Sequence, residues 1–181
     1  KDGSDNNIQV LDGATLATAN AIIGDAAGAS NNVAYIRGAG SRWVVAGSLN
    51  IGGGTSNWVA AVDGGTIEAD ALNIQTNGGG TFYLSQGGTF RINDNFSANL
   101  AGFEWQPSGT LVVAGDLDGM GVSNGYNYLN RNQTLVMDNG TWRTDTDEFV
   151  LGLESAGHVY ATNGGWVVVG EATTNGLASG G

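Results

Sequence analysis

A glycine-anchored repeat fills most of this chain and constrains it to a stacked architecture. In each copy a short apolar run leads into a turn with one or two glycines. Thr or Ser and a large apolar residue usually follow. The copies read VLDGATL at 10–16, IRGAGSRW at 36–43, VDGGTI at 62–67, SQGGTF at 85–90, PSGTL at 107–111, MDNGTW at 137–142 and TNGGW at 162–166. The anchor glycines Gly13, Gly40, Gly65, Gly88, Gly109, Gly140 and Gly165 recur about every 25 residues, a spacing found in repeat folds. A unit this short cannot bury its apolar face alone, so it must stack on its neighbours.

Short runs rich in β-branched and aromatic residues precede the anchors at 8–11, 33–36, 58–62, 81–85, 103–106, 134–137 and 158–162, which predicts leading strands. Asn7, Asn32 and Asn57 stand at the starts of three of them as turn residues. After the anchors, apolar columns follow the period-two spacing of strands. One column is Leu16, Trp43, Ile67, Phe90, Leu111, Trp142 and Trp166; two residues on stand Thr18, Val45, Ala69, Ile92, Val113, Thr144 and Val168. A third holds Ile22, Leu49, Leu72, Phe96, Leu117 and Phe149. No segment sustains a 3.6-residue apolar period, so no helix is expected. The fold class predicted is all-β: one parallel β-helix (β-solenoid) over 1–181, with about seven coils of ~25 residues and no evident caps. Residues 1–6 read as an N-terminal tail, 118–132 as a loop insertion and 171–181 as a linker-like tail.

Composition narrows the partners. Of 181 residues, 32 are Gly and one is Pro, without the every-third glycine of collagen. Acidic residues outnumber basic ones 17 to 6, giving a net charge of −11, and the sole lysine is Lys1. Nucleic acids and anionic membranes need clustered Lys and Arg, so neither is expected as a partner. The absence of cysteine removes disulfide and thiol chemistry and is compatible with secretion. The apolar stretch 14–23 lacks the basic flank of a signal peptide, and no run approaches the ~20 apolar residues of a membrane helix.

Residues 33–92 resemble the passenger repeats of autotransporter-type bacterial surface proteins. The matching positions are Gly38, Gly40, Ser41, Trp43, Gly47, Leu49, Ile51 and Gly52, then Gly64, Gly65, Thr66, Ile67, Leu72 and Ile74. The resemblance implies a parallel β-helix exposed outside a bacterial cell and implies no activity.

Candidate chemistry is sparse. Stacked coils could bring together Asp63, Glu68 and Asp70, or Asp145, Asp147 and Glu148, as the paired carboxyls of a glycosidase, which stand ~5–9.5 Å apart. Yet Asp12, Asp63 and Asp138 precede glycines as turn-formers, and Arg37, Arg42, Arg91, Arg131 and Arg143 do not cluster. No catalytic or cofactor-binding residue is assigned, and the chain is not expected to be an enzyme. Asp116 and Asp118, and Asp145, Asp147 and Glu148, are oxygen-rich candidates for structural Ca²⁺, with Asp2 and Asp5 a similar set; none matches an EF-hand loop. One histidine, His158, cannot build a zinc site. Thr66, Thr89, Thr110 and Thr141 form a possible ice-binding ladder, but as single residues in turns. Trp43, Trp142 and Trp166 share a column and read as core. Tyr126 and Tyr128, in the insertion, could stack on a surface glycan, meet a neighbouring molecule or cover the adjacent coil.

The repeat phase suggests assembly. The chain opens on a leading strand and closes on a trailing one, so the last coil of one copy could accept the first of another. Ile8, Val10 and Leu16 would meet Trp166 and Val168. At ~4.8 Å per coil, a seven-coil subunit would rise roughly 34 Å. The function expected is an extracellular, cell-surface structural subunit that stacks head-to-tail as a filament or stalk. The alternatives are a fragment of a longer adhesin or autotransporter passenger, and a carbohydrate-binding or polysaccharide-cleaving β-helix.

Overall fold

The computed structural model describes residues 3–75, 79–98, 100–118, 122–123, 126–129, 131–143, 149–152 and 155–168. These residues wind as a parallel β-solenoid without a helix. Strands are numbered in chain order. Sheet A runs β1 (Asn7–Val10), β4 (Val33–Arg37), β6 (Trp58–Val62), β8 (Thr81–Leu84) and β11 (Phe103–Trp105). Sheet B runs β2 (Thr15–Thr18), β5 (Arg42–Ile51), β7 (Thr66–Ile74), β9 (Thr89–Ile92), β12 (Thr110–Val113), β16 (Gln133–Asp138) and β19 (Gly157–Thr162), with β3 (Ala21–Ile23) beside the far half of β5. Sheet C holds β10 (Phe96–Ser97), β13 (Leu117–Asp118), β17 (Thr141–Arg143) and β20 (Trp166–Val168). Sheet D holds β14 (Val122–Ser123), β15 (Tyr126–Leu129) and β18 (Phe149–Leu151). Only β14 and β15 pair antiparallel among the described strands.

Register defines the turns. Along sheet B the successive partners Leu16, Trp43, Ile67, Phe90, Leu111, Leu135 and Val159 lie 27, 24, 23, 21, 24 and 24 residues apart. Seven strands enclose six intervals, so the expected seven coils are about six turns near 24 residues each. Trp43, Ile67, Phe90, Leu111 and Leu135 of this column are fully buried. Inside the solenoid, Phe82, Phe90, Phe96 and Phe103 pack with ring centroids 4.6–6.2 Å apart, bringing sheets A, B and C onto one aromatic cluster. Aromatic pairs at such distances add to what area burial alone supplies.

The repeat slips by one corner after Pro107. In the first five copies the anchor lies between sheets A and B. The sixth and seventh lie between sheets B and C: Trp142 is the neighbour of Leu117, and Trp166 that of Thr141. Trp142 and Trp166 therefore do not share a column with Trp43. Leu135 and Val159 take those places, and Met137 and Ala161 stand where Thr144 and Val168 were expected. The corner entering sheet B is filled instead by Arg131 and Asn132: Ser108 N donates to Arg131 O (2.9 Å) and Asn132 N to Ala156 O (2.6 Å). Segment 118–132, expected as a loop, carries the β14–β15 hairpin, and β15 pairs with β18 rather than continuing sheet A. Phe149 accordingly lies in sheet D, opposite Asn127. Ile22 also lies outside the third column: Ala21 is Leu49's neighbour, and Ile22 is 57% exposed.

The turns explain the anchor composition. Asp12–Gly13, Asp63–Gly64 and Gln86–Gly87 take φ of 54° and 78°, 49° and 83°, and 51° and 75°. Each pair is closed by a backbone bond, Ala14 N to Leu11 O (3.0 Å), Gly65 N to Val62 O (2.8 Å) and Gly88 N to Ser85 O (2.8 Å). Two consecutive left-handed residues define a type I′ turn, which selects Asp, Asn and Gly. The next glycine has a different cause. A Cβ at Gly65 would stand 2.3 Å from Ile36 O, and one at Gly88 2.0 Å from Ala61 O, each a carbonyl of the preceding turn. At the new corner the constraint persists: a Cβ on Gly165 would stand 2.1 Å from Met137 O.

At the corner entering sheet A an asparagine ladder replaces apolar stacking. It consists of Asn6, Asn32 and Asn57, so the first member is Asn6 rather than Asn7, which is already strand. Asn57 Oδ1 accepts from Asn32 N and Nδ2 (both 3.0 Å), and Asn57 Nδ2 donates to Ala29 O (2.7 Å). Asn32 Oδ1 accepts from Asn6 Nδ2 at 2.8 Å. The left-handed residues are the ones just before, Asp5, Asn31 and Ser56.

The two glycines of one turn should respond differently. Gly88→Ala is expected to destabilise by ~3 kcal/mol through overpacking against the turn below. Gly87→Ala, whose Cβ would meet nothing nearer than 3.8 Å, is expected to lose ~1–2 kcal/mol from its positive φ alone. Urea melts of the two variants check the order.

Candidate functional site

The acidic candidates on sheet B are brought together, but as an ion-pair lattice. Glu68 and Arg91 are register partners whose side chains point outward. Arg42 Nη2 pairs with the Glu68 carboxylate. Asn93 Nδ2 donates to Glu68 Oε1 (3.2 Å) and to Asp70 Oδ1 (3.3 Å), so those two carboxylates share one amide. Arg91 Nε donates to Asn93 Oδ1 (3.0 Å), and Arg91 Nη1 reaches over β12 to Asp138 Oδ2 at 2.7 Å. Asp63 stands apart, paired with Arg37 at 2.7 Å. Burial pushes the Glu68 carboxyl up. Hydrogen bonds from Arg42 and Asn93, with the charges of Arg42 and Arg91, outweigh that and hold it below the ordinary 4.5. Asp138 is held below its ordinary 3.8 by hydrogen bonds from Asn163 and Arg91. Both carboxylates are thus kept ionised, the opposite of what a general acid needs.

The threonine ladder exists with a different membership. Thr15, Arg42, Thr66, Thr89, Thr110, Thr134 and His158 are successive partners, so Thr134 replaces Thr141 and Arg42 and His158 interrupt the file. His158 is exposed.

Of the calcium candidates, Asp116 and Asp118 are exposed, and Asp116 Oδ1 accepts the Thr141 backbone N–H at 2.9 Å, which caps the corner. Asp145, Asp147 and Glu148 lie outside the described residues, as does Asp2. Among the described residues no three acidic or His side chains gather as a metal site. The tyrosine candidates Tyr126 and Tyr128 lie on β15, where Tyr128 is the register partner of Val150 and Tyr126 of Ser123.

The assembly residues divide. Val10 is buried in the core and Leu16 packs partly against it. Ile8 is 37% and Trp166 67% exposed, and Val168, opposite Arg143, is half-buried. A cleft of about 480 Å³ opens beside the first turn, lined by residues that include Asn6, Ile8, Ile22, Ile23, Asn32 and Val33.

Sequence reasoning missed an outward aromatic row on sheet A. Tyr35 and Tyr83 share a column with Ala60 between them. The indole of Trp58, from the adjacent column, packs between the two tyrosines at ring distances of 5.9 and 6.0 Å and interplanar angles of 86° and 81°. The signal was present: Tyr is the third residue of both VAYIR and TFYL, a position facing away from buried Ala34, Ile36, Phe82 and Leu84.

Compared with protein-family models, with curated proteins and with solved structures, the chain matches none.

The ion-pair lattice predicts acid sensitivity. A carboxylate whose folded pKa is depressed contributes stability above its unfolded value, and the contribution is lost as pH falls through the folded one. With Arg42 49% exposed, the effect of Glu68 is expected to be ~0.5 kcal/mol. Urea melts should show wild-type stability declining below pH 4.5 more steeply than that of Glu68→Gln, with the two curves converging in acid.

Proposed function

We propose that this protein is an extracellular structural β-solenoid, a length of rigid rod that extends by stacking turn on turn as a filament or surface stalk. The supporting observation is the register. Six successive intervals carry the chain one rung along sheet B, and each rung offers the next the same backbone groups and a matching apolar column. The outer surface is given to ladders between turns, Arg37–Asp63 and Arg42–Glu68 among them. The cysteine-free composition is compatible with an exterior location, and a net charge of −11 suits a hydrated surface.

Strands β1 and β2 are the outer members of sheets A and B, with Ile8 and Ile22 beside the cleft. A further turn laid on them would continue the columns and the asparagine ladder. A second copy supplying that turn makes a heterologous, non-closing contact, which builds a filament. The same polypeptide supplying it makes a stalk, as in a longer passenger or adhesin.

Concentrated protein is expected to form rods by negative-stain imaging, with a fibre reflection at ~4.8 Å along the rod axis. Ile8→Lys and Ile22→Lys should shorten or abolish them while preserving the far-ultraviolet signal of the fold. Monodisperse monomers without rods at the same concentration would falsify end-to-end assembly, leaving the stalk within one polypeptide.

A further inference from the structure

The aromatic row on sheet A lies outside the core of the solenoid. Its rings point away from the core, whose sheet A positions are held by Ala34, Ile36, Val59, Ala61, Phe82 and Leu84. Small Ala60 leaves a gap between Tyr35 and Tyr83; the Trp58 indole fills it, and Ala60 beneath is only 2% exposed. The three rings thereby pack on one another along the rod axis, with successive ring planes nearly perpendicular. Beside them a shallow depression of about 360 Å³ is lined by Asn7, Gln9, Val33, Tyr35 and Trp58. The amides of Asn7 and Gln9 are exposed and, like Trp58 Nε1 and the two tyrosine hydroxyls, make no hydrogen bond among the described residues.

We propose that this row binds a neutral, equatorially substituted pyranose chain of the glucose or N-acetylglucosamine type, lying along the rod axis across successive turns. Such a sugar presents flat C–H faces that pack on aromatic rings, and a rim of hydroxyls that need donors and acceptors. The row supplies both: rigid rings with little rotamer entropy to lose, flanked by unengaged amides and hydroxyls. It is one ring wide, which suits a polymer of single rings better than a protein, whose interfaces bury a broad apolar core. The net charge of −11 repels anionic glycans and selects a neutral one. This activity is independent of end-to-end assembly, since it uses the flank of the rod.

Isothermal titration of the full 181-residue chain with cellopentaose and chitopentaose tests the site, with heparin as an anionic control. Binding of at least one neutral oligosaccharide, and not of heparin, is expected. Trp58→Ala should weaken it by about tenfold or more, Trp58→Phe by no more than about threefold, and Tyr160→Ala, at an exposed position on sheet B, not at all. Should Trp58→Ala fail to fold, Tyr83→Ala carries the same expectation, because Tyr83 is 38% exposed. No binding of either pentasaccharide at millimolar concentration overturns the proposal. So does binding indifferent to Trp58 and Tyr83, or a lateral dimer, seen by sedimentation, that Trp58→Ala dissociates.

Discussion

Everything in this molecule depends on the parallel backbone ladder between turns. A parallel pair shifted by one residue turns its inward set of side chains outward. One register therefore decides at once which side chains are core, which form ladders and which corners need glycine. Trp43 and Ile67 are buried because Arg42 pairs with Thr66, and Glu68 meets Arg91 outside for the same reason. The glycines after the type I′ turns then follow, because turns held at ladder spacing leave no room for a Cβ beside the carbonyl below.

Much of this was legible in the residues. The period, the strands, the glycine corners of the first five copies and the inward column from Leu16 to Leu111 stand where alternation and turn chemistry place them. The sixth and seventh copies misled because Asp-Asn-Gly and Asn-Gly-Gly serve any tight corner. The turn motif carries no label for which corner it makes. A better guide was Thr134-Leu135-Val136-Met137, which repeats the pattern of Thr110-Leu111-Val112-Val113 and takes the same sheet. Side-chain identity on the strand tracked position more faithfully than the turn did. The ion-pair lattice was not legible, because most of its partners stand on different turns and meet only once the register is known.

The surface divides its chemistry by face. Sheet B carries charges that satisfy one another across rungs, and these hold Glu68 and Asp138 ionised. Sheet A carries rings that satisfy one another but leave their polar atoms open to solvent. Such a division arises readily in a solenoid, where each face repeats without touching the others. One face can change its business while the core columns stay constant.

The spacing of the contacts has a mechanical side. Nearly every stabilising pairing described joins a residue to its counterpart one turn away, so among the described residues no strand clamps the two halves of the rod together. Structure can grow outward from any stable stretch, one loop of chain at a time, with each new loop templated by the last. Pulled along its axis, the molecule would yield by peeling, giving up a single loop and then the next. A body built this way fails under load by stages rather than at once.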